Sequence, residues 1–93
     1  MKIAFLKSFD KAYIKLPEEK QCLADKAIEK LIPCLEDIVT PAPKGLGLEK
    51  RRGGFGYCRI DIHLRILFKQ EKDLLIFYLL GTHKQIDNYL KNI

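Results

Sequence analysis

The stretch CRIDIHLRILF, Cys58 to Phe68, restricts the fold more than any other part of the chain. Ile60, Ile62, Leu64, Ile66 and Phe68 share one parity, while Arg59, Asp61, His63 and Arg65 share the other. Successive side chains of a strand point to opposite faces, so this pattern belongs in a sheet with one face on an apolar layer. Wound as a helix, the same residues would scatter both sets around the axis. The polar parity then poses the functional question, because two arginines, an aspartate and a histidine share one strand face.

The preceding residues supply the apolar layer. KIAFL at 2–6 predicts a short opening strand. Ser8 is the expected N-cap of a first helix, with Phe9, Ala12, Tyr13 and Leu16 at helical spacing. Pro17, Glu18 and Glu19 make a favourable start for a second helix, since proline fits the first turn and acids complement the positive end of the helix dipole. Leu23, Ala24, Ala27, Ile28, Leu31 and Ile32 form its stripe, and Pro33 is expected to end it.

Pro33, Pro41, Pro43, Gly45 and Gly47 punctuate an irregular connection, with one short turn near 35–38 and no regular element from 40 to 53. After Gly53 and Gly54, strands are predicted over 55–62, 64–69 and 74–80, with QEKD at 70–73 as a hairpin turn. Thr82 and Gln85 have capping-box spacing, and Ile86, Tyr89, Leu90 and Ile93 form the apolar side of a closing helix. The order β-α-α-β-β-β-α predicts an α+β fold: a small, mostly antiparallel sheet, an N-terminal helix hairpin on one face and a short C-terminal helix. The Ile/Leu/Phe parity should face the hairpin, which leaves the Arg/Asp/His/Arg parity on the open side.

Ninety-three residues make a single domain, 1–93. No apolar run approaches membrane-spanning length, and the first residues show no signal-peptide pattern, so a cytoplasmic location without a membrane partner is expected. Cys22, Cys34 and Cys58 are odd in number and lack C-x-x-C spacing, which suits small buried thiols in a reducing compartment rather than disulfides or a zinc knuckle.

Charge is unevenly placed. Residues 44–72 hold eight Lys or Arg against three acids, while the rest of the chain balances nine against nine. The whole excess of +5 therefore sits in the segment containing Lys44, Lys50, Arg51, Arg52 and Lys69, the expected nucleic-acid contacts. Charge alone fits a solvated basic surface equally well.

The two histidines of the chain, His63 and His83, both lie where strands meet the closing helix. Arg59 and Arg65 flank His63 on its own parity, and arginine suits phosphate through two parallel charge-assisted hydrogen bonds. Tyr89 is either packed core or a base-stacking platform. RNA cleavage without metal needs a base for the 2′-hydroxyl proton, cations on the in-line phosphate and an acid for the leaving 5′-oxygen. His63, Arg65 or Arg59, and His83 can fill those roles. A zinc set of His63, His83, Asp61 and Cys58 lacks a recognisable spacing and stands beside two arginines, so no metal or other cofactor is expected.

FLKSFDKAYIKLPEE at 5–19, GLGLEKRRGG at 45–54, YCRIDIHLRILF at 57–68 and LLGTHKQIDNY at 79–89 together resemble the RelE/ParE toxin superfamily of bacterial type II toxin–antitoxin modules. The likeness is nearest to its RelE and YafQ-like mRNA-cleaving branch and covers almost the whole chain. The resemblance implies a turn between the strands near 61–64, where the alternation alone permits one bent strand. It implies cleavage-site roles for Arg59, Arg65, His83 and Tyr89 from the RelE pattern. From the YafQ pattern it implies His63 as base and the histidine of Gly81-Thr82-His83 as acid. Asp61 stands beside these groups where RelE is lysine-rich, and Asp87 replaces an aromatic residue four places after His83. Implied partners are mRNA in the ribosomal A site, the ribosome and a cognate antitoxin wrapped over the basic face. Two other functions share the fold: inhibition of DNA gyrase by binding, as in ParE, and RNA binding by an inactive homologue. Binding alone has no use for the histidine pair.

Overall fold

The computed structural model describes residues 2–36 and 46–92, with Arg52 by its backbone alone. Strand β1 (Lys2–Phe5) leads into helices α1 (Lys7–Ile14) and α2 (Glu18–Glu36). Then come β2 (Glu49–Lys50), a 3₁₀ turn at Arg52–Gly54, β3 (Phe55–Arg59), β4 (Leu64–Glu71), β5 (Leu74–Thr82) and α3 (His83–Lys91). The sheet order is β1-β5-β4-β3-β2, with β1 parallel to β5 and the other pairs antiparallel. The α+β architecture is as expected, with one strand more: β2 falls inside the span read as irregular. Lys44, Ile93 and positions 37–38 of the expected 35–38 turn lie outside the described residues, while Leu35 and Glu36 belong to α2 rather than to a turn.

The hairpin of α1 and α2 covers the inner sheet face. Ala24, Ala27, Leu31 and Leu35 recur at helical spacing and are buried, together with Phe9, Leu46, Cys58, Ile66, Phe68, Leu75, Phe77 and Leu80. Burying a large side chain of this kind stabilises by about 1.5–3 kcal/mol. That scale explains why α2 runs past Pro33 to Glu36 instead of stopping there. An interior proline costs about 3 kcal/mol, but Leu31 and Leu35 pack on either side of it, and Gln70 Nε2 donates to the Leu35 carbonyl at 3.3 Å.

Ser8 is not the cap of α1. Leu6 takes that position without a side-chain cap, and the Ser8 hydroxyl donates to the Tyr78 carbonyl. The reason lies in β5: Leu67 pairs with Leu79 and Phe68 with Phe77, so a bulge leaves Tyr78 without a partner in β4.

One turn is shorter than expected, and another falls where the resemblance put it. The β4–β5 turn is only Lys72–Asp73, with Lys72 at φ 49°. The alternating stretch breaks at 60–63, as the family resemblance implied. Asp61 Oδ1 accepts from the backbone N–H groups of His63 and Leu64, both at 2.8 Å, and folds the chain back. Ile62 is therefore 78% exposed instead of facing the helices.

The outer face is not open along its length. Leu67 and Tyr57 share the parity of the arginines, yet both are buried with Ile86 of α3, which lies across β4 and β5. The thiols differ too: only Cys58 is buried, whereas Cys22 is exposed and Cys34 half-buried. Among the described residues, no helix is long and apolar enough to cross a membrane.

Candidate functional site

Strand register builds the site on the outer face. Arg59 pairs directly with Arg65, so two guanidinium-bearing chains leave neighbouring strands on one side. Like charges directly opposite each other are destabilising, and no carboxylate pairs with either arginine among the described residues. Nη1 of Arg65 is buried without a hydrogen-bond partner among them, a donor left unmade at a typical cost of about 1–3 kcal/mol.

Two glycines flank this pair, one making room for Arg59 and the other for the Gln85 side chain. Gly47 has φ 59°, and a Cβ there would come within 3.1 Å of the Arg59 Cβ. Its loop is tied to β3 by the Arg59 N–H donating to the Leu46 carbonyl at 2.6 Å. Gly81 of β5 is the ladder partner of Arg65 of β4, and a Cβ there would strike the Gln85 side chain at 2.5 Å. That side chain is needed for the cap: Gln85 Oε1 accepts from Thr82 N–H at 2.8 Å, and Thr82 Oγ1 accepts from Gln85 N–H at 3.2 Å. The capping box fixes His83 as the first residue of α3.

Tyr57 is the centre of the cluster, and sequence reasoning missed it. Its hydroxyl donates to Glu49 Oε2 at 2.5 Å and accepts from Arg51 Nη2 at 2.8 Å. The Arg51 Cζ stands 4.9 Å from the ring centroid and the Arg65 Cζ 6.0 Å. The His83 ring meets Tyr57 edge to face with centroids 5.6 Å apart. Burial and the bond to Glu49 raise the Tyr57 hydroxyl pKa against the lowering pull of Arg51, so the phenol stays neutral. The bond to Tyr57 raises the Arg51 pKa further. The available signal was parity: Tyr57 lies two residues before Arg59 on the same face.

His83 Nε2 lies 3.1 Å from Asp87 Oδ2, one turn along α3. His63 is exposed in the turn, one residue before the last ladder pair, Leu64–Thr82, and His83 follows Thr82 as the first residue of α3, so the two histidines flank the same end of the β4–β5 ladder without a ladder pair between them. Asp61 is directed elsewhere. Beyond its turn bonds it pairs with Lys20 Nζ of α2 at 2.5 Å, which holds its carboxyl at about 2. Tyr89 packs against Tyr78, whose ring meets Phe55, away from Tyr57. Lys69 Nζ lies over Phe55 at 5.1 Å and pairs with Glu71 at 2.8 Å. Lys50 is exposed on β2. The structure thus joins Arg51, Tyr57, Arg65, His83 and Asp87 by contact, adds Arg59 by register, puts His63 in the exposed turn at the same end of the ladder, and leaves Asp61 and Tyr89 outside. Cys58 faces the opposite layer, and no three His, Cys, Asp or Glu side chains among the described residues form a metal-binding group.

Comparison with solved structures decides the fold family. YafQ in the DinJ–YafQ complex of E. coli superposes with a TM-score of 0.64 at 21% identity, covering 90% of this chain and 94% of YafQ. This chain has the fold of the RelE/YafQ toxins. A copper-bound mutant toxin from Helicobacter pylori gives a TM-score of 0.66 at 23% identity, covering 92% and 98% of the two chains. The RelB–RelE complex of Methanococcus jannaschii gives 0.61 at 19% identity, covering 92% and 96%. No family model matches the sequence, and no curated protein matches it. The RelE/YafQ likeness is thus carried by backbone topology.

Proposed function

We propose that this chain is the toxin of a type II toxin–antitoxin module, of the RelE/YafQ-like kind, and cleaves mRNA on the ribosome without a metal. One observation carries the reading: Arg59 and Arg65 stand opposite each other in the ladder with no ion pair among the described residues, and a buried Arg65 donor has no acceptor among them. Such an arrangement is unfavourable until an anion lies between the guanidinium groups, and a phosphodiester fits both.

In that pose the 2′-oxygen attacks phosphorus while the bond to the 5′-oxygen breaks. His63 takes the 2′-hydroxyl proton, His83 delivers one to the leaving 5′-oxygen, and the products are a 2′,3′-cyclic phosphate and a 5′-hydroxyl. Because His83 Nε2 is held by Asp87, Nδ1 is the nitrogen left for the substrate. Arg59 and Arg65 take up charge developing on the phosphate, and Tyr57 keeps Arg51 and Arg65 from dispersing. Lys44, Lys50, Arg51, Arg52 and Lys69 supply attraction along the strand, and the ribosome positions the codon. Tyr89 and Asp61 act at most indirectly, through packing and the turn.

The antitoxin partner follows from the neighbours, which were solved as DinJ–YafQ and RelB–RelE complexes. A cytoplasmic site of action follows from the proposed substrate. Mapping mRNA 5′ ends after brief induction tests the proposal. New ends at in-frame codon positions support it, whereas intact transcripts with gyrase-linked DNA breaks would assign the chain to the binding class instead.

A further inference from the structure

We propose that a cleft at the far end of the β2–β3 hairpin is a second nucleotide subsite, holding a phosphodiester and adjoining base of the RNA strand whose scissile link lies at Arg59 and Arg65. This deepens the nuclease reading and rests on RNA being the substrate. The cleft has a volume of about 250 Å³, and its lining includes Lys50, Arg51, Phe55, Phe68, Gln70 and Lys72. Three of these residues are cations, and no carboxylate lines the cleft among the described residues. Lys50 and Lys72 are exposed and make no ion pair among them.

Arg51 connects the two places, because it lines the cleft while Nη2 donates to Tyr57 at the centre of the first site. From Arg59 to Phe55 is the length of β3, about 13 Å at 3.3 Å per residue, which a few nucleotides span. Lys72 enters from the tight β4–β5 turn at φ 49°, a backbone position that glycine or asparagine fills more easily. Phe55, half-buried at the cleft wall above the buried Phe68, favours a nucleotide over an acidic peptide. Cations beside a partly open ring suit phosphate plus base, whereas carboxylates alone leave that ring uncovered.

Fluorescence anisotropy with the full chain and 2′-O-methyl RNA oligonucleotides of three and seven residues tests this, since the blocked 2′-oxygen prevents cleavage. The heptamer should bind about tenfold more tightly than the trimer, and a Lys50→Gln/Lys72→Gln double variant should lower the heptamer's salt slope by about 1.4. Lys72→Gln, or Lys72→Asn to suit the left-handed backbone, should remove most of the length gain and leave trimer affinity unchanged. Equal affinity for trimer and heptamer overturns the subsite while leaving the nuclease reading intact. Equal weakening of both oligonucleotides by Lys72→Gln also overturns it, as does displacement of the heptamer by a hepta-glutamate peptide at matching concentration. Failure to bind either oligonucleotide at low salt overturns both readings.

Discussion

The two faces of the sheet are built by opposite rules. The inner face is closed by the helix hairpin and is mainly apolar, with Gln70 bonded to the Leu35 carbonyl, so the groups there are explained by the packing and bonding of their neighbours. The outer face has a small apolar patch under α3, made by Leu67, Tyr57 and Ile86, and arranges arginines and a histidine around that patch. Stability accounts for the first arrangement but not the second. A chain selected for stability alone would not place Arg59 opposite Arg65 or leave a buried guanidinium nitrogen without a partner among the described residues. Cost concentrated on one face is the ground for proposing that face as the working surface.

The contrast is broken most strongly from the inner side. Phe77 is fully buried and stacks on Phe5 with centroids 5.0 Å apart. Phe77→Ala should cost about 3–5 kcal/mol, measurable as a collapse of the denaturant midpoint. A loss under about 1 kcal/mol would mean the inner layer does not carry the fold.

At the turn between the faces, Asp61→Ala should cost about 1–2 kcal/mol and lower the melting temperature by about 5–10 °C. The Asp61 carboxyl titrates at about 2 instead of 3.8, first because of Lys20. A lowered pKa stabilises the fold above the ordinary value, and that contribution disappears as pH falls from 3.8 toward 2. The gap between wild type and variant should therefore be widest near neutral pH and close at the acid end. A gap independent of pH would remove the Lys20 pair from the account.

On the outer side, Tyr57→Phe keeps the ring and deletes the hydroxyl between Arg51 and Glu49. RNA affinity should fall by about three- to tenfold, near 1 kcal/mol, with a smaller change in melting than Asp61→Ala gives. Unchanged affinity would show that Tyr57 only fills space. The smallest effect concerns the thiols. Burial pushes Cys58 up to about 12, so alkylation of the native protein should label Cys22 readily and leave Cys58 intact.

Much of this was legible in the sequence, and the exceptions have physical causes. The alternation from Cys58 to Phe68 showed a sheet with a polar face, and the Thr82–Gln85 spacing showed the start of α3, because both signals are local. The break at 60–63 left the alternation untouched, since Asp61 folds the turn by bonding backbone N–H groups without disturbing parity. Pro33 reads as a stop because its cost is local, whereas the compensation from Leu31 and Leu35 comes from packing on the sheet. The role of Tyr57 required register. Only the pairing of β3 with β2 and β4, and the path of α3, bring Glu49, Arg51, Arg65 and His83 to one ring. The same register separated Asp61 and Tyr89 from groups that parity and spacing had placed beside them.

The central claim is that the outer-face cations and His83 act on a phosphodiester, and single-turnover cleavage of ribosome-bound mRNA by purified protein tests it most directly. Arg65→Ala and His83→Ala, with wild-type melting curves, should each slow cleavage by about 10²–10⁴-fold. Rates within about threefold of wild type in both variants would place the chemistry elsewhere and contradict the account.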